Sequence, residues 1–348
     1  TLFQTSHQNG EAMQVYADAV RRPGASSLAA FVYALLPNDS DLTPVIKDDY
    51  AAYNFAFIGR SGLYHSPMAT PGNLDQGSLQ DMGGQVLDLT QALLKADRLP
   101  QRAPDTVFFD VFGLFTAIYP AWLGWGMIII AAGGMGLAVR QDGTGGLAAG
   151  AGRMLVLILL SAAILFALNR LSLGLEPANY YDRLAAIPRL EVMAVLGSLA
   201  AFLMAFASWR PSRVGVVGAA LPLFIISLAA QALAPTAAYV VVLPMVLVTF
   251  TLWVRHSAVR IGIAALVGGF TLALGHQLMQ GVGPTLPFVA ALPLALAVLS
   301  TLPLWPGMEV RKARTIAVLA FLGAASVSLW VLLDAPAATR AVYSDSKQ

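Results

Sequence analysis

The chain has 348 residues, 57% of them hydrophobic and 11% charged, and its mean hydropathy is +0.68. Soluble domains carry about a quarter charged residues, so this composition excludes an ordinary soluble enzyme and points to a multi-span membrane protein in contact with a lipid bilayer. The net charge of +2 divides unevenly: residues 1–118 carry 7 Lys and Arg against 12 Asp and Glu, whereas residues 119–348 carry 14 against 7.

The acidic first part reads as a water-facing α/β segment. Leu2–Thr5 has strand composition and is followed by a helix from about Asn9 to Arg21. Ser26 or Ser27 caps a second helix that runs to Leu36. Asp41 is expected to cap a short helix with Pro44 in its first turn. Tyr53–Gly59 has the β-branched and aromatic pattern of a strand and stops at a Gly. Ser78–Ala96 reads as an amphipathic helix with Leu79, Met82, Val86, Leu89 and Leu93 on one face. About 100 residues in this order amount to half of a doubly wound α/β domain. The Pro-containing stretch 99–104 is the linker, giving divisions of 1–105, 106–335 for the membrane part and 336–348 for a polar tail.

Beyond Asp110, uncharged runs cover 111–139, 154–169, 192–209, 214–254, 261–308 and 315–333. A helix rises about 1.5 Å per residue and the hydrocarbon core is about 30 Å thick, so roughly 20 residues span it once. The two longest runs break at Gln231–Pro235 and Gly281–Pro284. The result is an all-α domain of about eight spans, near 117–139, 154–174, 191–209, 214–233, 236–254, 261–279, 286–305 and 314–333. Gly143–Gly152 reads as a flexible turn. Basic residues concentrate in alternate loops, at Arg140 and Arg153, Arg210 and Arg213, Arg255 and Arg260, and Arg311, Lys312 and Arg314. By the positive-inside rule those loops are cytoplasmic, which places the N-terminal segment and the tail outside. Arg outnumbers Lys 17 to 4 beside abundant Ala and Gly, a composition that suggests a high-GC bacterial source and so a bacterial inner membrane.

The chemistry-bearing stretch is the loop after the Tyr53 strand, Gly62 to Asp75. It carries His65 seven residues beyond Ile58, where open α/β sheets place ligands and metals. On spacing alone, a lone loop His is usually a solvated or hydrogen-bonded residue. Asp39 and Asp41 read as helix caps and loop-fixing residues. Tyr64 either lines a cleft or packs beneath the loop.

The segment from Asn54 to Gly83, NFAFIGRSGLYHSPMATPGNLDQGSLQDMG, resembles the closing motif of the dinuclear zinc aminopeptidases of metallopeptidase family twenty-eight, written Tyr-His-Thr-x-x-Asp-Thr-x-x-Asn. LPNDSDLTPV and LFQTSHQNGEAMQVYA are similar to earlier segments of that family. The order of elements and the spans that follow resemble its membrane-bound branch, the vacuolar membrane protease and endoplasmic reticulum metallopeptidase group. The resemblance implies a C-terminal fragment of a membrane-anchored zinc aminopeptidase acting on peptides, with two zinc ions in the complete protein. It implies that His65 is a metal ligand, that Tyr64, Asp41 and Asn73 line the site, and that the general-base Glu and the other ligands lie upstream of Thr1. The loop departs from the pattern at Ala69, where Asp is expected, and at Gly72, where Glu is common. A catalytically inactive scaffold and a transporter-like protein are the alternatives; the absence of any Asp or Glu deep in a span is evidence against the latter. No nucleic acid is expected as a partner, and the oligomeric state is not legible.

The alternation of basic loops predicts that Ser78→Cys and Ser346→Cys react with an impermeant thiol reagent from outside, whereas Ser212→Cys reacts from the cytoplasmic side. Labelling of Ser212→Cys from outside alone would invert the topology.

Overall fold

The computed structural model describes residues 1–35, 40–47, 50–59, 63, 67–174 and 180–334. They fall into two compact units, 1–58 with 71–128 and 227–242, and 59–70 with 129–226 and 243–348.

In the first unit, β1 (Leu2–Thr5) pairs antiparallel with β2 (Tyr53–Phe55), in a register of Thr5 against Tyr53 and Leu2 against Phe55 with an irregularity between. β3 (Thr106–Val111) and β4 (Phe115–Pro120) form an antiparallel hairpin with Phe108 opposite Ile118. Parallel pairing is confined to isolated bridges, Leu2 to Ala25 and Asn9 to Ala103, among the described residues. The hairpin takes up residues 117–120, where the first span was expected to begin, and the first long apolar helix begins at Leu123.

Helix α1 (Gly10–Ala19) buries Ala12, Met13 and Tyr16, and α2 runs from Ser27 to Leu35. The short α3 is Leu42–Lys47, and α4 is Gln76–Lys95. Gly10 lets α1 approach the linker: a Cβ there would lie 2.6 Å from the Pro104 carbonyl oxygen. The core joins Leu2, Met13, Tyr16, Val20, Ala25, Leu89 and Phe108. The inward face of α4 differs from the apolar stripe expected. Gln85 and Leu89 are buried while Leu79 and Val86 are exposed. The reason is a hydrogen bond: the buried Tyr16 hydroxyl donates to Gln85 Oε1 at 2.7 Å and accepts from the Gly24 amide. A buried hydroxyl needs such a partner, and meeting that need turns Gln85 inward.

The helical part contains α5 (Leu123–Asp142), α6 (Leu147–Leu173), the short α7 (Tyr180–Ala185), α8 (Ile187–Phe206), α9 (Arg213–Leu233), α10 (Tyr239–Thr251), α11 (Ser257–Gly281), α12 (Ala291–Thr301) and α13 (Val310–Leu333). Among the described residues, seven helical segments are long and apolar enough to cross a membrane, with α12 counted in the continuous segment Pro287–Leu304. The protein is therefore a multi-pass helical membrane protein. The fifth of the eight expected spans is met by a shorter apolar helix. α10 has 13 residues, about 20 Å of helix, which is short of the hydrocarbon thickness. The residues before it, 235–238, form a turn and are engaged within the first unit: Ser27 Oγ donates to the Thr236 carbonyl at 2.7 Å, and the Ser26 and Tyr239 hydroxyls pair at 2.9 Å. The Gly/Ala turn is also shorter than expected, because residues 147–152 are already helical. Only Gly143 and Gly146 there take left-handed φ angles. The polar tail lies outside the described residues.

Within the second unit, α8 packs against α6 and α13, and α11 against α12. Small residues bring the helices together, as expected where lipid removes the hydrophobic drive for association. A Cβ on Gly150 of α6 would overlap the Gly215 carbonyl and lie 2.6 Å from the Ala219 amide of α9, whereas Gly152 faces open space. Gly152→Ala is therefore expected to be neutral or to stabilise the protein by up to about 1 kcal/mol through helix propensity. Gly150→Ala is expected to destabilise by about 1–3 kcal/mol through overpacking. Unfolding of the two variants in detergent should shift in opposite directions, and equal shifts would show that α6 and α9 do not meet there.

Candidate functional site

His65 and Tyr64, together with Asp39, lie outside the described residues. Around them, β2 leads to Gly59 with φ +125°. Further on, the Thr70 amide donates to the Met68 carbonyl at 2.8 Å, and Pro71–Asn73 form a single 3-10 turn. Asn73, half-buried, sits at the end of that turn. Asp75 then caps α4, its carboxylate accepting from the Ser78 amide at 2.7 Å.

Asp41 is exposed and is not the cap of α3. Ser40 has that role. Its hydroxyl accepts from the Leu42 amide at 3.3 Å, and its own amide donates to Thr43 Oγ1 at 3.1 Å. The Ser40 hydroxyl also donates to Gln4 Oε1, which accepts from Asn54 Nδ2 as well. One glutamine on β1 thus ties β2 to the start of α3. The sequence signal for this was present as Ser40-x-x-Thr43, a cap with a partner three residues on.

No group of three or more His, Cys, Asp or Glu that could hold a metal ion occurs among the described residues. Two zinc ions need several converging protein ligands, and the described residues do not fit that requirement.

The first unit does contain a cavity of about 850 Å³ at the carboxyl end of β1, a feature not anticipated from the sequence. Ser6, His7, Tyr50, Tyr53, Leu93 and Arg102 are among its lining residues. The Tyr53 hydroxyl donates to the Ala12 carbonyl at 2.8 Å, and burial pushes its pKa up to about 12. It is therefore a neutral donor at physiological pH. One wall is the linker at Leu99–Arg102, which Glu11 on α1 holds in place: its carboxylate accepts from the Gln101 amide at 2.8 Å and from Arg98 at 3.3 Å. The amide hydrogen bond, reinforced by the Arg98 charge, holds the Glu11 carboxyl below its usual range.

No family model matches the chain, and no solved structure matches it. Among curated proteins, the chain is 31% identical over 131 residues to the human protein named endoplasmic reticulum metallopeptidase 1, covering 35% of this chain and 14% of the relative. The mouse and rat proteins of the same name are each 30% identical over 131 residues, with the same coverage. The chain thus spans about a seventh of the length of the curated relatives it matches. Its resemblance to the membrane-bound metallopeptidases has these counterparts.

Because Glu11 has a depressed folded-state pKa, its contribution is present above its unfolded pKa of about 4.3 and lost as pH falls through the lower folded value. Exchange protection of the Gln101 amide should hold at neutral pH and fall below pH 4. In Glu11→Gln the acid step should disappear. An unchanged acid step would show that another group holds the linker.

Proposed function

We propose that this chain is the C-terminal, membrane-spanning part of a zinc-dependent aminopeptidase that removes N-terminal residues from peptides. His65 contributes one ligand to a dinuclear site whose remaining ligands and general base lie in the upstream part of the protein. Tyr64, Asp41 and Asn73 line that site. The observation that carries this reading is the 30–31% identity to metallopeptidases over about a third of the chain, read together with the Tyr64-His65-Ser66 motif. The imidazole nitrogen of His65 supplies the lone pair a zinc ligand needs. Since the described residues do not assemble a metal site, no catalytic step is assigned to them.

The peptidase-like portion faces the exterior, periplasmic in a bacterial inner membrane, because the Arg-rich loops follow every second apolar run when α10 is counted as a short crossing that local thinning of the bilayer accommodates. Ala69 and Gly72, which depart from the motif, favour one competing reading, a membrane scaffold that no longer cleaves peptides. The two readings separate on the metal.

In the intact protein, His65→Ala should lower bound zinc, measured by elemental analysis, and reduce aminoacyl-p-nitroanilide turnover by at least about a hundredfold, the upper end of what losing an outer-shell partner of a ligand costs. His256→Ala should change neither. Intact protein that binds no zinc would support the scaffold. Unchanged zinc and rate in His65→Ala would reduce His65 to a loop residue.

A further inference from the structure

We propose that the tip of the β3–β4 hairpin is an interfacial lipid-binding element that seats the α/β part of the protein on the bilayer. At the turn, the Leu114 amide donates to the Val111 carbonyl at 3.0 Å, and the two residues between, Phe112 and Gly113, have φ of +52° and +70°. Two consecutive left-handed residues make the tight turn that matches strand twist, a turn built mostly from Asn, Asp and Gly. Asp110 fixes it by accepting from the Gly113 amide at 3.1 Å. A bulky Phe at the first left-handed position is strained, and strain of this kind is retained where function uses it.

The turn presents apolar side chains outward: Phe112 is 58% exposed, Leu114 72% and Phe115 55%. Trp122, 68% exposed, and Trp125 follow at the start of α5. From Val111 to Val139 the sequence has no Asp, Glu, Lys or Arg, so tip, strand and first span are one uncharged stretch of chain. The middle of the hairpin is held at the level where apolar helices end. Phe109 stacks on Tyr239 at the start of α10 with centroids 4.6 Å apart, and Gln231 near the end of α9 donates to the Ala121 carbonyl at 2.9 Å. The tip extends roughly 10 Å past Phe109 at the strand rise. Trp and Phe favour the headgroup boundary, so the occupant that fits is the outer lipid layer of the bilayer the helices cross.

The sequence has no Cys, so a thiol-reactive environment-sensitive fluorophore can be placed at Leu114→Cys in the intact protein, with any Cys elsewhere in it replaced by Ser. Phe115→Cys gives a second site and exposed Gln91→Cys the reference. In vesicles of phosphatidylcholine with phosphatidylglycerol, both tip probes should emit to the blue of the reference. They should be quenched at least twofold more by headgroup-proximal nitroxide lipid and be shielded from iodide. Iodide quenching equal to the reference would overturn the proposal. So would shielding from iodide without nitroxide quenching, which would mean that protein, a second copy or another segment, covers the tip.

Discussion

Backbone amides and carbonyls in hydrocarbon must find partners within the protein, since each unpaired group costs several kcal/mol there. The helical part is organised by that requirement, and its irregular points show how it is met. The break after α11 frees the carbonyls of Pro284 and Thr285. Arg183, buried on α7, donates to the Pro284 oxygen from both Nε and Nη2, and Asn169 Nδ2 donates to the Thr285 oxygen at 3.3 Å. Nη1 and Nη2 of Arg183 also donate to Ser172 Oγ and Asn169 Oδ1. A charged side chain is thereby buried with neutral oxygens as hydrogen-bond acceptors, and it joins α6, α7 and the break in one network. Ser328 likewise donates to the Leu168 carbonyl between α13 and α6. The same pressure explains the cations at helix ends. Arg213 forms a bidentate pair with Asp142 and lies over Trp253, and Arg189 reaches Asp334 across Trp330.

The two units solve the packing problem with different chemistry. The α/β unit, with water available, keeps polar atoms inside and pairs them: Tyr16 with Gln85, and Asn9 with Asp105, Thr106 and Thr5. The helical unit relies on small residues and close backbone approach, as at Gly197, where a Cβ would press on Ile164 and Leu165. Burial energy per area is similar for any apolar side chain. It cannot by itself choose helix neighbours in lipid, so shape does.

Much of this was legible in the sequence, and the failures have physical causes. Six of the eight expected spans are matched by helices at nearly the expected positions because a 20-residue apolar run in a charge-poor chain has few alternatives. The start of the first was misplaced because an apolar hairpin and an apolar helix have the same composition over a short run. The face of α4 was misread because periodicity sees hydrophobicity and not the hydrogen bond that draws Gln85 inward. The cap of α3 was assigned to Asp41 on residue type, where the Ser40–Thr43 pair satisfies both amides. The candidate metal ligand rested on the motif around His65 and not on periodicity, and the cavity at the end of β1 left no linear signal, since its walls come from four separate stretches.

The short α10 brings these points together. A buried tyrosine hydroxyl seeks a partner, and Tyr239 finds Ser26 while its ring stacks on Phe109. Thr236 gives its carbonyl to Ser27. These bonds fix residues 235–238 as a turn, and in that position they cannot also extend the helix towards the length a full span needs. Pro235 removes one amide from the helical ladder, so the turn forfeits little. An uncharged stretch long enough to span is thus divided between two uses, part to helix and part to holding the hairpin and α2. The choice is set by hydroxyl groups that hydropathy averages away.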